Sequence, residues 1–264
     1  MTMETEETHK LISWVYEYLR KATDSKIRAI VGLSGGVDSA VIATICAKAV
    51  GATRTLGVIL PCESGIEDTF DALLVAQSLG IHTVDMDLEN TFRSWWDTYR
   101  FSLAWPAQQN ELFPPMNKMV RANVKARLRM LSLYAIANQT GGLVIGTTNK
   151  SEALIGYSTK YGDAGVDIEP LMDFYKTEVW EIAEYLKIPA RIISKEPSAG
   201  LWDGQTDKEE LGLSYQEIDT ILKSIVEQVH PVKRPNEQYY KKIQDMMAAA
   251  GHKNIGLPYF KRNN

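Results

Sequence analysis

Two cysteines in 264 residues are too few for a disulfide scaffold. Cys46 and Cys62 also form no CxxC pair that would suggest a zinc ribbon. A reducing compartment, the cytoplasm, is therefore expected. Cys46 lies among Ile42, Ile45 and Ala49 and reads as a packed core thiol. Cys62 follows Pro61 at a strand end, where a reactive role stays open. No apolar run approaches the roughly 18 residues of a membrane span, and the opening METEETHK is acidic rather than signal-like. There is no long basic run and the formal net charge is -4, so no nucleic-acid-binding face is expected. The loop GxxxxGK[ST] is missing, which argues against an ordinary γ-phosphate-transferring NTPase. Repeats, low-complexity tracts and obvious linkers are absent too. A chain of this length can bury its own core, so one domain over 1–264 is expected.

What is present is alternation. Apolar spacing at Leu11, Ile12, Val15 and Leu19 predicts a helix over 8–21, and a short apolar run over 27–33 predicts a buried strand. Helix over 38–50, strand over 55–60, helix over 67–79 and strand over 82–88 follow. A long helix over 117–138 precedes a strand over 143–148. Further helices are predicted over 176–186, 215–229 and 236–249. Strands alternating with helices imply crossover units, hence an α/β fold: a doubly wound parallel sheet with helices on both faces. Phe92, Trp95, Trp96, Tyr99, Phe101, Trp105 and Phe113 crowd one stretch. They can pack on the core or form a subunit interface. The segment 193–213, with Pro197, Gly200, Gly204 and Gly212, is a long loop of the kind that serves function.

The strongest chemical signal is Gly32-Leu33-Ser34-Gly35-Gly36-Val37-Asp38-Ser39, set between a strand and a helix. Glycines let backbone N–H groups approach a ligand closely, and the start of the following helix is a natural anion seat. Ser34 and Ser39 add hydroxyls. Asp38 would repel a phosphate but suits Mg²⁺, which takes carboxylates and phosphate oxygens together. The plainer alternative is a helix start capped by Ser34 or Asp38. Glu152 and Thr147 fall at the end of a later strand, the side of a parallel sheet where ligands bind. Glu152 could be a second metal carboxylate or a capping glutamate; Thr147 could bond a nucleotide or simply favour a strand. Lys176 opens a helix, a poor place for a cation unless it faces an anion.

SGGVDS resembles the pyrophosphate loop of the ATP pyrophosphatases, which cleave ATP to AMP and pyrophosphate while adenylating a substrate. More of the chain is similar to one branch, the NAD synthetases: NVKARLRM at 123–130, GTTNKSE at 146–152, GYSTKYGD at 156–163, then Pro170-Leu171, Lys176-Thr177, EPSAGLW at 196–202, Gln205-Thr206-Asp207, ELG at 210–212, Tyr215 and His252-Lys253. The resemblance runs from about residue 30 to 253. It implies an adenine nucleotide alpha hydrolase-like fold and a ligase, the last step of NAD biosynthesis, that makes NAD from deamido-NAD and ammonia through an adenylate. It implies Mg²⁺ on Asp38 and Glu152, and ATP on residues 32–39, Thr147, Lys176 and Ser198. Deamido-NAD would be held by Arg127, Lys160, Asp167, His252 and Lys253, in a homodimer. The length leaves no room for a fused glutaminase domain, so free ammonia is the expected donor. Two residues depart from the family pattern: Lys208 where glutamate is usual, and Asn254 where arginine is common. A tRNA-modifying relative would favour basic extensions or active-site cysteines. A nucleotide sensor without turnover would not need paired carboxylates.

Overall fold

A computed structural model describes residues 3–109, 117–200, 202, 204–229, 231 and 235–254. Four strands, β1 (Ala29–Gly32), β2 (Thr55–Ile59), β3 (His82–Asp85) and β4 (Leu143–Ile145), form one sheet in the order β3-β2-β1-β4. Every pairing is parallel, with Ile30 opposite Leu56 on one side and Val144 on the other. β1 to β3 step outward in one direction, and β4 lies on the opposite side of β1. The strand order thus reverses between β1 and β4, and a crevice opens there at the carboxyl ends of the strands.

Side chains of β1 alternate between two cores, as the period of a strand demands. Ala29 and Val31 face a cluster with Val15 of α1 (Met3–Ala22), Val41 and Ile45 of α2 (Val37–Val50) and Val75 of α3 (Ile66–Leu79). Val179 and Ile182 of α7 (Lys176–Tyr185) and Ile192 of α8 (Ala190–Ile193) join the same layer. Ile30 faces the other way, with Val58 and Val144, onto Phe92 and Trp96 of α4 (Glu89–Gln109) and Ala137 of α5 (Lys118–Thr140). β1, β2 and β4 are largely buried, which is why they read as apolar runs, whereas the edge strand β3 is exposed along its length. A third cluster lies beyond the sheet. It joins Ile155 of α6 (Lys150–Ile155), Leu211 of α9 (Asp207–Leu211), Ile218 and Ile221 of α10 (Tyr215–Val226) and Ile243 of α11 (Glu237–Asn254).

The expected elements are present with shifted ends. The strands expected over 82–88 and 143–148 stop at Asp85 and Ile145: Met86 and Leu88 still donate to Ile59 O and Pro61 O at 2.9 and 2.8 Å, while Gly146 and Thr147 line the crevice. Segment 193–213 is not one loop: α9 interrupts it, started by Thr206, whose side chain accepts from the Glu209 N–H. The crowded aromatics differ in burial. Phe92 and Trp96 are buried, whereas Trp95 and Phe101 are exposed. The side chains of Trp105 and Phe113 lie outside the described residues. Cys46 is buried, and so is Cys62. Among the described residues no helix is long and apolar enough to cross a membrane.

Candidate active site

The turn after β1 is built for close approach. Gly35 has φ +78°, and a Cβ there would lie 2.5 Å from the carbonyl oxygen of Asp68, so only glycine fits. Gly36 is the N-cap of α2 and no side chain caps that end. The expected alternative, a cap by Ser34 or Asp38, is set aside. The Ser34 hydroxyl instead accepts from the Gly36 N–H at 3.3 Å and pairs with the Ser39 hydroxyl at 3.1 Å. The positive end of α2 therefore stays available to an anion.

Asp38 reaches across the crevice. One carboxylate oxygen accepts from the Asn149 side-chain amide at 2.9 Å, and the other from the Lys176 ammonium. Asn149 is held by a capping box. Its side chain accepts from the Glu152 N–H at 3.0 Å, while the Glu152 carboxylate accepts from the Asn149 N–H at 3.2 Å. The other Glu152 oxygen stands 3.6 Å from the Lys176 ammonium. So the capping and metal readings of Glu152 do not compete, since one carboxylate caps α6 and faces Asp38 and Lys176 together. Lys176, which could have been a solvated first-turn lysine, has a side chain only 3% exposed. Burial opposes its charge, but Asp38 and Glu152 more than offset this and hold its pKa above the usual lysine value. Burial, reinforced by the Asp38 charge, pushes Glu152 up to about 8.

These groups line a cavity of about 530 Å³, within the range of small-ligand sites. Residues 32–34 and 36–39, Thr147, Glu152, Lys176, Ser198 and Lys253 all face it. Arg127, Lys160, Asp167 and His252 do not. Three of them form a neighbouring chain of contacts: Arg127 donates to the Lys160 carbonyl at 3.2 Å, and Lys160 to the His252 carbonyl at 2.7 Å. Lys253 links the two regions by donating to the carbonyls of Gly156 and Ser158, both at 2.6 Å. Asp167 anchors part of the fold. It accepts from the Val144 N–H at 2.8 Å and from the Tyr134 hydroxyl at 3.2 Å.

Several residues at the cavity escaped the sequence reading. Arg129 donates to Leu60 O at 3.1 Å, Ser64 Oγ at 2.9 Å and Gly200 O at 3.4 Å, tying the loop around Ser198 to the end of β2. Asp207 accepts from the hydroxyls of Tyr157 at 3.1 Å and Tyr215 at 2.9 Å. The only advance signal was their place inside matched segments. Mg²⁺ commonly binds through one or two carboxylates plus substrate phosphates. Asp38 and Glu152, facing one point beside an uncapped helix end, are a donor set of that kind. Among the described residues no group of three or more His, Cys, Asp or Glu could hold a metal alone.

A sequence model of the NAD synthase family matches residues 7–255. The NH(3)-dependent NAD(+) synthetase of Archaeoglobus fulgidus is 39% identical, over 92% of this chain and 93% of its own. That of Carboxydothermus hydrogenoformans is 42% identical, over 91% and 96%. Among solved structures, the NMN synthetase of Francisella tularensis superimposes with a TM-score of 0.84 at 32% identity, covering 98% of this chain and 100% of its own.

Proposed function

This chain belongs to the NAD synthase family, and on that premise we propose that it amidates deamido-NAD with free ammonia, cleaving ATP to AMP and pyrophosphate. The observation that carries this reading is the buried Asp38–Lys176–Glu152 cluster beside the uncapped start of α2. A carboxylate is a poor acyl donor because its leaving group would be oxide, and adenylation supplies a good one. The nicotinate carboxylate attacks the α-phosphorus of ATP and pyrophosphate leaves. Ammonia then attacks the acyl carbon and AMP leaves with the former carboxylate oxygen.

Residues 32–39 receive the departing pyrophosphate on backbone N–H groups and hydroxyls. Lys176, already aimed into the crevice by two carboxylates, offsets the charge that grows as it leaves. Asp38 and Glu152 would hold Mg²⁺, which adds charge neutralisation on the phosphate oxygens. Thr147 and Ser198 contribute hydroxyls to ATP. Arg127, Lys160 and Lys253 supply cations and His252 a ring N–H for a ligand with two phosphates, and Asp167 a carboxylate for ribose hydroxyls. An adenylate hydrolyses readily, so the segment around Ser198, latched by Arg129, serves to exclude water.

The reading extends to a single synthetase domain, to a cytoplasmic setting, and to a homodimer joined partly through α4. There Trp95 stacks on Tyr99 at 5.2 Å while remaining 43% exposed, and Phe101 is 85% exposed. Sedimentation of the wild type as a monomer at micromolar concentration would remove the dimer.

The Francisella tularensis likeness favours a second reading, in which the acid is a mononucleotide rather than a dinucleotide. Both are tested by mixing protein, ATP, Mg²⁺ and ammonium with either acid. Equimolar NAD, AMP and pyrophosphate from deamido-NAD support the first reading. A specificity constant higher for nicotinate mononucleotide moves the assignment to the second. ADP and phosphate as products would sink both.

A further inference from the structure

Asp68 and Lys195 also line the cavity, beside Ser34 and Ser39. Neither belongs to the cluster described above. Asp68 is in the first turn of α3, whose backbone oxygen packs on Gly35. Lys195 follows α8 on the segment leading to Ser198. Its ammonium donates to Asp68 Oδ1 at 2.8 Å and to Asp71 Oδ2 at 2.7 Å. Its third, long contact is to the Gly35 carbonyl at 3.4 Å. Asp71 is buried and also accepts from Arg191 at 2.6 Å, and Arg191 in turn pairs with Glu67.

The sum of these charges is informative. Three carboxylates, Glu67, Asp68 and Asp71, meet two cations, Arg191 and Lys195. The network is negative overall, yet it borders the loop that must receive a multiply charged anion. Burial alone would disfavour charge on Asp71, but Lys195 and Arg191 more than offset this and keep its carboxyl below the usual range. Asp71 therefore stays anionic, and Lys195 is the cation that screens both Asp68 and Asp71 from the loop.

We infer that Lys195 is a positioning residue for the pyrophosphate end of ATP. It neutralises Asp68 and Asp71 beside the loop and, through the Gly35 carbonyl, joins that loop to the Ser198 segment. The inference rests on the ATP reading of this cavity. It assigns Lys195 to the β- and γ-phosphates and not to the adenosine or the α-phosphate, so ligands with and without those phosphates separate the two ideas.

The experiment is calorimetric binding of Mg²⁺–α,β-methylene-ATP and of AMP to the wild type, Lys195→Met, Lys195→Arg and Lys195→Met/Asp68→Asn. Lys195→Met should weaken the ATP analogue about tenfold or more and AMP less than about twofold, since only the former brings charge near the bare carboxylates. Lys195→Arg should keep most of the affinity, and adding Asp68→Asn to Lys195→Met should recover part of it. Asp68→Asn alone removes a partly exposed carboxylate and keeps the fold measurable should Lys195→Met fail to fold. It should leave AMP unchanged and tighten the analogue. Equal losses for both ligands in Lys195→Met, no loss for either, or weaker analogue binding by Asp68→Asn would overturn the role of Lys195. Failure of the wild type to bind the analogue would instead overturn the ATP reading itself.

Discussion

Two cation clusters of this molecule are built differently. At the crevice between β1 and β4, Lys176 is buried and meets two carboxylates that arrive from separate elements, Asp38 on α2 and Glu152 on α6. Beside it, Arg127, Lys160 and Lys253 reach backbone carbonyls, with Arg127 and His252 exposed. A buried ion pair leaves an uncompensated charge when either partner is removed. A cation on a carbonyl near solvent leaves only a carbonyl that water can serve. The first cluster is preassembled machinery and the second is a set of hands that a ligand can claim one at a time. Substitutions in the first should therefore destroy turnover, and those in the second should mainly weaken one substrate.

The largest effect should come from Asp38→Asn. Glu152 remains to pair with Lys176, so the fold is kept, while kcat falls by about 10²–10³-fold, the scale of losing one electrostatic group at a developing charge. Lys176→Met should fall in the same range. Steady-state kinetics with matching circular dichroism spectra checks both, and near-normal kcat in either variant would break the comparison at its stronger side. Next comes Lys253→Met. It should raise KM for deamido-NAD about tenfold with kcat within about threefold, because one charge-assisted hydrogen bond is worth about 1.5–3 kcal/mol. A loss in kcat as large as that of Asp38→Asn would erase the distinction between the clusters.

How these regions appear in the sequence follows the same division. The SGGVDS segment was legible because its chemistry is local: Ser34, Gly36 and Ser39 bond one another within six residues. Most of the alternating elements were legible because β1, β2 and β4 are mainly apolar and largely buried. The short helices α6, α8 and α9 were not, since four to six residues are too few to show a period. Arg129 and Lys195 were silent for another reason. Their partners Ser64, Asp68 and Asp71 lie 65 to 127 positions away, and a cation reads the same in sequence whether it meets solvent or a buried partner. Asp167 shows the converse. Its carboxylate, proposed for ribose hydroxyls, also accepts from the Val144 N–H and so anchors the backbone of β4, a bond its residue type does not reveal. The departure Lys208 falls in α9, where nothing in the structure explains it, and the side chain of Asn254 lies outside the described residues.

The smallest effect concerns a group in neither cluster. Glu169 packs against Gly146, where a Cβ would stand 2.2 Å from its carboxylate, and accepts from the Thr148 N–H at 3.1 Å. Burial pushes its pKa up to about 8. The folded state then binds a proton more tightly than the unfolded chain, so stability should decline as pH rises from about 4.5 to about 8. Glu169→Gln keeps an oxygen for the Thr148 N–H and removes the titration. Thermal melts should show a flatter decline across that window and a gain on the order of 1–3 kcal/mol at pH 8. An unchanged pH profile would show that Glu169 does not titrate there. If turnover follows stability in this variant, the group lies outside both clusters, as the geometry places it.

The central claim is that ATP is opened at its α-phosphorus by the carboxylate of the substrate. Deamido-NAD carrying ¹⁸O in its nicotinate carboxylate, turned over once with ATP, Mg²⁺ and ammonium, tests it by mass spectrometry of the products. The account predicts one ¹⁸O in AMP and none in pyrophosphate. AMP free of label, or label in inorganic phosphate released alongside ADP, would contradict it.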